Sequence, residues 1–138
     1  MSAGYSGTPL AKKLGYKPCF RVFVDNVPDN YHALVDPLPE HVEFVEKLQA
    51  DLDMIHLFTV SKKELAAKLK HYVKKIKAAG MIWVSWPKKA SKVATDITED
   101  VIREVIESTS LVDVKVCAVD EVWSGLKLVI RVEHRASH

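Results

Sequence analysis

Residues 80–100 read GMIWVSWPKKASKVATDITED, and this stretch decides the fold. The apolar run at residues 81–86 follows a glycine and precedes Pro87, which has no amide hydrogen to donate to a sheet. A run that is apolar on both faces predicts a central strand of a parallel sheet covered by helices on each side. After a basic loop, Thr98 and the two acids behind it predict the capped start of a helix. Strand, polar loop and helix start is the arrangement in which open α/β sheets bind ligands.

Size and composition restrict the possible classes of protein. The chain has 138 residues, 48% of them hydrophobic, which predicts a single domain with a substantial core. Its 20 Lys and Arg against 18 Asp and Glu give a net charge of +2, so bulk charge does not indicate a nucleic-acid partner. The two cysteines, Cys19 and Cys117, have no metal-ligand spacing, and Cys117 is expected to be a buried thiol. The six histidines form no recognised metal-binding motif, and we expect no metal site.

The chain has no apolar run of the length that a membrane span needs, and its N-terminus has no apolar core of a secretion signal. We therefore expect a cytoplasmic protein without membrane partners. Residues 1–15 are interpreted as an N-terminal extension with a short helix that Thr8 caps and Gly15 ends.

Periodicity predicts the order β-α-β-β-α-β-α-β-β after that first helix. The amphipathic helix after Ser61 is the clearest element, because Ser61 and Glu64 form a capping box and Gly80 follows its predicted end. Its apolar stripe consists of Leu65, Leu69, Tyr72, Val73 and Ile76, and the opposite side carries lysines. Strands are predicted at residues 20–24, 42–45, 52–60, 81–86, 112–122 and 126–132, and the other helices at residues 30–35 and after Thr98.

The last two strands are separated by Trp123, Ser124 and Gly125, a connection so short that it predicts an antiparallel hairpin. The predicted fold is therefore an α/β, three-layer sandwich of the Rossmann-like kind, with a mostly parallel sheet closed by a C-terminal antiparallel hairpin. This layout resembles the methyltransferase version of that fold.

The sequence also resembles a small bacterial domain family of unknown function. The resemblance rests on the segments SAGYSGTPLAKKLG, WVSWPKKAS, ATDITED and VDVKVCAVDEVWSGLKLVIRV, which together span nearly the whole chain. It implies a methyltransferase-like fold and a bacterial origin, and it implies no activity.

The methyltransferase resemblance implies a glycine-rich turn after the first strand, where backbone approaches the methionine part of S-adenosylmethionine. Residues 25–30 read DNVPDN and contain no glycine. Asp25 matches the acid that often ends that strand, Glu46 matches the ribose-binding acid after the second, and Asp53 matches an acid of a later strand. Because Val27 and Pro28 stand where flexibility is needed, we expect no tight binding of S-adenosylmethionine and no cofactor.

Parallel strands end at one edge of a sheet, so the exits of three strands are expected to meet there. At this edge Lys88, Lys89 and Lys92 would hold a small anion, and Trp86 would offer a stacking surface. The alternative is that the lysines belong to an ordinary solvated loop. The candidate ligand-binding residues are Asp25, Asn26, Thr59, Trp86, Lys88, Lys89, Ser91 and Lys92.

No phosphate-binding loop and no G-x-S-x-G nucleophile motif is present. His56 lies inside a predicted strand and is interpreted as a hydrogen-bonded core residue, so no catalytic residue is assigned. We therefore expect a non-enzymatic binding module for a small anionic ligand or a protein partner, on a degenerate methyltransferase-like scaffold. The alternative is an S-adenosylmethionine-dependent methyltransferase or another nucleotide-dependent enzyme with an atypical loop.

Overall fold

The computed structural model describes residues 8–138 and contains the predicted order of elements. The N-terminal extension, up to residue 7, lies outside the described residues. The helices are α1 (Leu10–Leu14), α2 (Tyr31–Leu34), α3 (Lys62–Tyr72) and α4 (Glu99–Ile106). The strands are β1 (Arg21–Asp25), β2 (Glu43–Phe44), β3 (Leu52–Phe58), β4 (Ile76–Pro87), β5 (Leu111–Ala118) and β6 (Trp123–Ile130). Short 3₁₀ helices cover Lys89–Ser91 and Val132–Ser137.

The six strands form one sheet in the order β2-β1-β3-β4-β6-β5. The first four strands of this order are parallel, and β6 and β5 add an antiparallel hairpin, as predicted. The two-residue β2 lies at one edge of the sheet. From β1 the chain moves outward to β2 and then returns to place β3 on the other side of β1. The direction of winding therefore reverses between β1 and β3.

Helices cover both faces of the sheet, which confirms the three-layer prediction. On one face, Leu65 and Leu69 of α3 and Ile102 of α4 pack against the sheet. On the other face, Leu14 of α1 and Tyr31 of α2 pack against it. Each face therefore has its own apolar core.

Side chains cap the two longer helices as predicted. Ser61 Oγ accepts a hydrogen bond from the Glu64 amide at 3.2 Å, and Thr98 Oγ1 accepts one from the Val101 amide at 3.2 Å. The Glu64 carboxylate does not complete the capping box, because it accepts from the Thr59 hydroxyl instead. The residue before α1 is Pro9 and not the predicted Thr8 cap, and Gly15 ends α1 in a left-handed conformation with φ of 87°.

The prediction that Gly80 ends α3 is wrong. Helix α3 ends at Tyr72, and Ile76 already begins β4 opposite Leu52. The next register pair is Met81 with Met54. Between these two pairs β4 advances by five residues while β3 advances by two, so β4 is irregular there. A Cβ on Gly80 would lie 3.0 Å from the carbonyl oxygen of Lys77, so a glycine is needed for this close backbone approach.

The prediction that Trp123, Ser124 and Gly125 form the hairpin turn is also wrong, because all three belong to β6. The turn is instead residues 119–122. The Asp120 carboxylate closes it by accepting hydrogen bonds from the amides of Val122 and Trp123, each at 2.8 Å. The turn signal was therefore an aspartate and not the glycine.

A buried polar chain crosses the core under α1 and α2. The hydroxyls of Tyr16 and Tyr31 lie 2.6 Å apart, and Tyr31 lies 3.0 Å from His56 Nδ1. The other ring nitrogen, His56 Nε2, lies 2.8 Å from Ser85 Oγ. Since His56 is fully buried, desolvation lowers its pKa to about 3. The interpretation of His56 as a hydrogen-bonded core residue is confirmed.

We expect Leu69→Ala and Ile76→Ala each to lower the free energy of unfolding by about 2–4 kcal/mol, because both side chains are buried in one core. The exposed neighbour Lys70 is the control, and Lys70→Ala is expected to change it by less than about 0.5 kcal/mol. Urea denaturation measures all three. Equal costs at Leu69 and Lys70 would contradict the assignment of buried and solvated faces.

The free energy of unfolding should also fall between pH 6.5 and 5 because of His56. Below its ordinary pKa the unfolded chain binds a proton that the folded protein, with a pKa of about 3, does not bind. The slope of the unfolding free energy against pH should approach about 1.4 kcal/mol per pH unit, the value for a difference of one bound proton between the unfolded and folded states. The matched variant His56→Gln cannot titrate at this position, and its slope over this range should be shallower than that of the wild type by about the same amount. A wild-type slope no steeper than that of the variant would show that His56 is not the group responsible.

Candidate functional site

The parallel pairing brings the exits of β1, β3 and β4 to one edge of the sheet, as predicted. Asp25 ends β1 and pairs in register with Leu57 of β3. The amide of Thr59, just after β3, donates to the carbonyl of Ser85 in β4 at 3.0 Å. This edge includes the reversal between β1 and β3, where open α/β sheets bind ligands.

A hydrogen-bond network spans the reversal. Asn26 Nδ2 donates to the carbonyl of Phe58 at 2.9 Å and lies 3.4 Å from both Glu64 carboxylate oxygens. The Thr59 hydroxyl donates to the same carboxylate. The hydrogen bond from Thr59 is the main reason that the pKa of Glu64 is lowered. Glu64 therefore joins two of the predicted site residues, and the sequence had assigned it only a capping role.

Charged groups continue this network toward α3. Lys68 Nζ lies 2.9 Å from Asp25 Oδ2 and 3.3 Å from Glu64 Oε2, and the Tyr72 hydroxyl donates to Asp25. Burial and the bond to Asp25 raise the pKa of Tyr72. Burial opposes the charge of Lys68, but its contacts with Asp25 and Glu64 outweigh that effect and raise its pKa. These side chains occupy the crevice between β1 and β3.

Asn26 takes the conformation that a glycine would otherwise supply. Its φ is 56°, in the left-handed region that asparagine tolerates better than most residues. The turn after β1 therefore bends without a glycine. What differs from a glycine turn is the amide side chain, which bridges from the end of β1 to the carbonyl of Phe58 in β3.

The other predicted residues have different surroundings. Trp86 is 8% exposed and packs in the core with α3 and α4, on the face opposite Trp83. Lys88 Nζ donates to the carbonyl of Asp120 in the hairpin turn at 2.6 Å, and Ser91 Oγ donates to the carbonyl of Lys88 at 2.6 Å. Lys89 and Lys92 are exposed. The structure thus joins Asn26 and Thr59 through Glu64, and Lys68 links Glu64 to Asp25, while anion binding by the lysine loop stays a prediction.

A cavity of about 390 Å³ lies beside this network, where β1 and β2 end. We call it the β1–β2 cavity. His32 and Phe44 meet edge to face in its wall, with ring centroids 4.9 Å apart. Glu46 is exposed. Sequence reasoning marked Glu46 by resemblance and missed His32 and Phe44, because one lies on a four-residue helix and the other in a two-residue strand. The lining residues are Val24, Val27, His32, Phe44, Val45 and Glu46.

Residues 8–138 contain neither a metal-type cluster of side chains nor a membrane-spanning helix. No group of three or more His, Cys, Asp and Glu in this range is placed to hold a metal ion. His134 and His138 are four residues apart, but His138 Nε2 bonds the carbonyl of Ile76 at 2.8 Å. None of the described helices has the length and apolar character to cross a membrane.

No family model and no curated protein matches this sequence. Solved structures do match its fold. An S-adenosylmethionine-dependent methyltransferase from Aquifex aeolicus aligns with TM-score 0.59 and 14% identity over 87% of each chain. Magnesium protoporphyrin IX methyltransferase from Synechocystis, with bound S-adenosylmethionine, aligns with TM-score 0.57 and 10% identity over 88% of this chain and 74% of that one.

A protein of the NADB-Rossmann superfamily from Streptococcus agalactiae aligns with TM-score 0.54 and 8% identity over 91% of this chain and 69% of that one. At such identities the likeness concerns the fold alone, and the fold is methyltransferase-like, as predicted. The resemblance to a bacterial domain family stays a prediction.

Substitutions at Asn26 test whether its backbone conformation matters. Asn26→Ala should lower the free energy of unfolding by about 1–2 kcal/mol, because alanine is strained at a positive φ and cannot bridge to Phe58. Asn26→Gly loses the same bridge without the strain and should cost less than Asn26→Ala. Thermal or urea unfolding compares the two. A costlier glycine variant would contradict this order.

Proposed function

We propose that the protein binds S-adenosylmethionine at the edge where β1 and β2 end and acts as a small methyltransferase. The β1–β2 cavity, which adjoins the winding reversal, is the observation that carries this proposal. The bound S-adenosylmethionine in the Synechocystis neighbour supports the choice of ligand. The expectation of a non-enzymatic module has no such support.

The cavity has the composition that a nucleoside needs. Val24, Val27 and Phe44 supply apolar wall for a flat base, and the His32 ring adds an aromatic edge. The Glu46 carboxylate can only accept hydrogen bonds when ionised, and paired ribose hydroxyls are suitable donors. The volume of about 390 Å³ lies within the usual range for small-ligand sites, roughly 300–1,000 Å³.

The amino-acid end of the ligand would lie toward the crevice. Its ammonium and carboxylate groups match the opposite charges of Asp25 and Lys68, which lie 2.9 Å apart. The same match has a cost, since these two side chains must exchange their mutual contact for contacts with the ligand. The Asn26 amide must also make room. We therefore expect binding that is weaker than in a site with a glycine turn.

When bound, S-adenosylmethionine would supply its sulfonium methyl group to an acceptor nucleophile, with S-adenosylhomocysteine as the leaving group. The role proposed for this chain is to bind and orient the reactants, an effect that lowers the barrier without acid–base chemistry. Within residues 8–138, the Ser85–His56 pair is fully buried and cannot serve as a base for an acceptor.

Calorimetric titration with S-adenosylhomocysteine tests the binding part of the proposal. Glu46→Gln should weaken binding by about tenfold, the loss expected for one hydrogen bond to a charged group. Glu40→Gln is the matched control, because Glu40 is exposed, precedes β2 and does not line the cavity. Equal affinity of the Glu46 variant and the wild type would remove Glu46 from the site.

Asn26→Gly gives a second, opposite expectation. It keeps the left-handed backbone while removing the side chain that bridges to Phe58, so the crevice opens and affinity should rise. A lower affinity would show that the Asn26 side chain is a ligand contact. A separate assay distinguishes a methyltransferase from a binding module: it measures transfer of the methyl group of methyl-labelled S-adenosylmethionine to protein or RNA fractions.

A further inference from the structure

Two lysines of the C-terminal hairpin lie directly opposite each other. Lys115 of β5 and Lys127 of β6 are register partners in an antiparallel pair. Side chains that are directly opposite project from the same face and come close together, and like charges there are destabilising. The hairpin therefore carries an unfavourable contact that the fold itself does not explain.

These lysines project from the face that α1 and α2 cover. Gly125, two residues before Lys127 on the same strand, faces the ring of Trp83 in the core of that face. Lys127 Nζ lies 3.9 Å from the position of a Cβ on Gly15, at the end of α1. Lys17 follows shortly after Gly15. A lysine cluster, defined as Lys17, Lys115 and Lys127, therefore forms where α1 ends on the sheet.

The contacts of the described residues leave this charge without compensation. No ion pair in residues 8–138 includes a member of the lysine cluster. Asp113 is near in sequence, but it pairs with Leu128 in register, which faces the other core, and bonds Arg103 at 3.1 Å. Burial lowers the pKa of Lys127, and the charges of Lys115 and Lys17 add to that effect.

The end of α1 does not neutralise Lys127 either. The carbonyls of Ala11 and Lys12 accept from the amides of Tyr16 and Gly15, and the carbonyl of Leu14 accepts from Trp83 Nε1 at 2.8 Å. The exposed carbonyls of a helix end are the usual partners of a nearby cation, and these three are already used.

We propose that the lysine cluster binds a phosphate group of an anionic ligand. A phosphate offers several strong acceptor oxygens and up to two charges, so one group can engage two or three ammonium groups together. Binding would relieve the repulsion between Lys115 and Lys127. The site is separate from the β1–β2 cavity, because β3 and β4 lie between β1 and the hairpin in the sheet. It holds whether or not the protein transfers methyl groups.

Calorimetric titration with inorganic pyrophosphate, at an ionic strength held constant with chloride, is the first test. We expect binding to the wild-type protein and a loss of affinity of about tenfold or more in Lys127→Met, which keeps the apolar stem. Lys115→Met removes an exposed member and should give a similar loss without disturbing the core. Lys70→Met, on the exposed side of α3, is the control and should bind as the wild type does.

A single-stranded oligonucleotide distinguishes the source of the phosphate. If the ligand is a phosphodiester strand, the oligonucleotide binds more tightly than pyrophosphate. The affinity of Lys127→Met for the oligonucleotide should then fall less steeply with salt than the affinity of the wild type does. If the ligand is a small phosphorylated molecule, pyrophosphate binds more tightly. Either result supports the proposal. Absence of binding by both probes, or equal binding by the wild type and both cluster variants, would overturn it.

Discussion

The parallel pairing of β1 with β3 is the constraint on which the rest of the structure depends. These strands are not consecutive, because the chain first visits β2 at the sheet edge and then returns across β1. The return places Asn26 beside the carbonyl of Phe58 and brings α3 over the same edge. The polar network and the position of the β1–β2 cavity beside the winding reversal both depend on that crossing.

The two faces of the sheet are stabilised in different ways. The face under α3 and α4 is an apolar core whose helices begin at capped residues, Ser61 and Thr98. The face under α1 and α2 is covered by two very short helices. It contains the series of side-chain hydrogen bonds that runs from Tyr16 through His56 to Ser85. Helices this short gain little stability on their own, so specific hydrogen bonds help to fix their positions.

Much of the fold could be predicted, because periodicity and caps are local signals. The predictions were wrong at positions where contacts between distant parts of the chain determine the local structure. Gly80 looked like a helix end, but only the backbone of β3 shows why a glycine is needed there. Gly125 looked like a turn, but a Cβ there would meet the ring of Trp83 on another strand, a contact that leaves no local pattern in the sequence.

The candidate site was predicted only in part for the same reason. The exits of β1, β3 and β4 follow from parallel topology, so Asp25, Asn26 and Thr59 could be grouped in advance. Glu64 and Tyr72 could not, because their contacts depend on how α3 lies over the reversal. The absence of glycine after β1 was a true observation, but it did not reveal that Asn26 takes a left-handed conformation.

The most direct measurement of the central claim is the set of backbone amide shifts in a ¹⁵N–¹H correlation spectrum as S-adenosylhomocysteine is added. The account predicts saturable shifts concentrated at Asn26, Val27, His32, Phe44 and Glu46, which line or adjoin the β1–β2 cavity. The amides of β5, at the far edge of the sheet, should stay unchanged. Shifts confined to other parts of the chain, or no saturable shifts at all, would contradict the placement of the ligand site at the winding reversal.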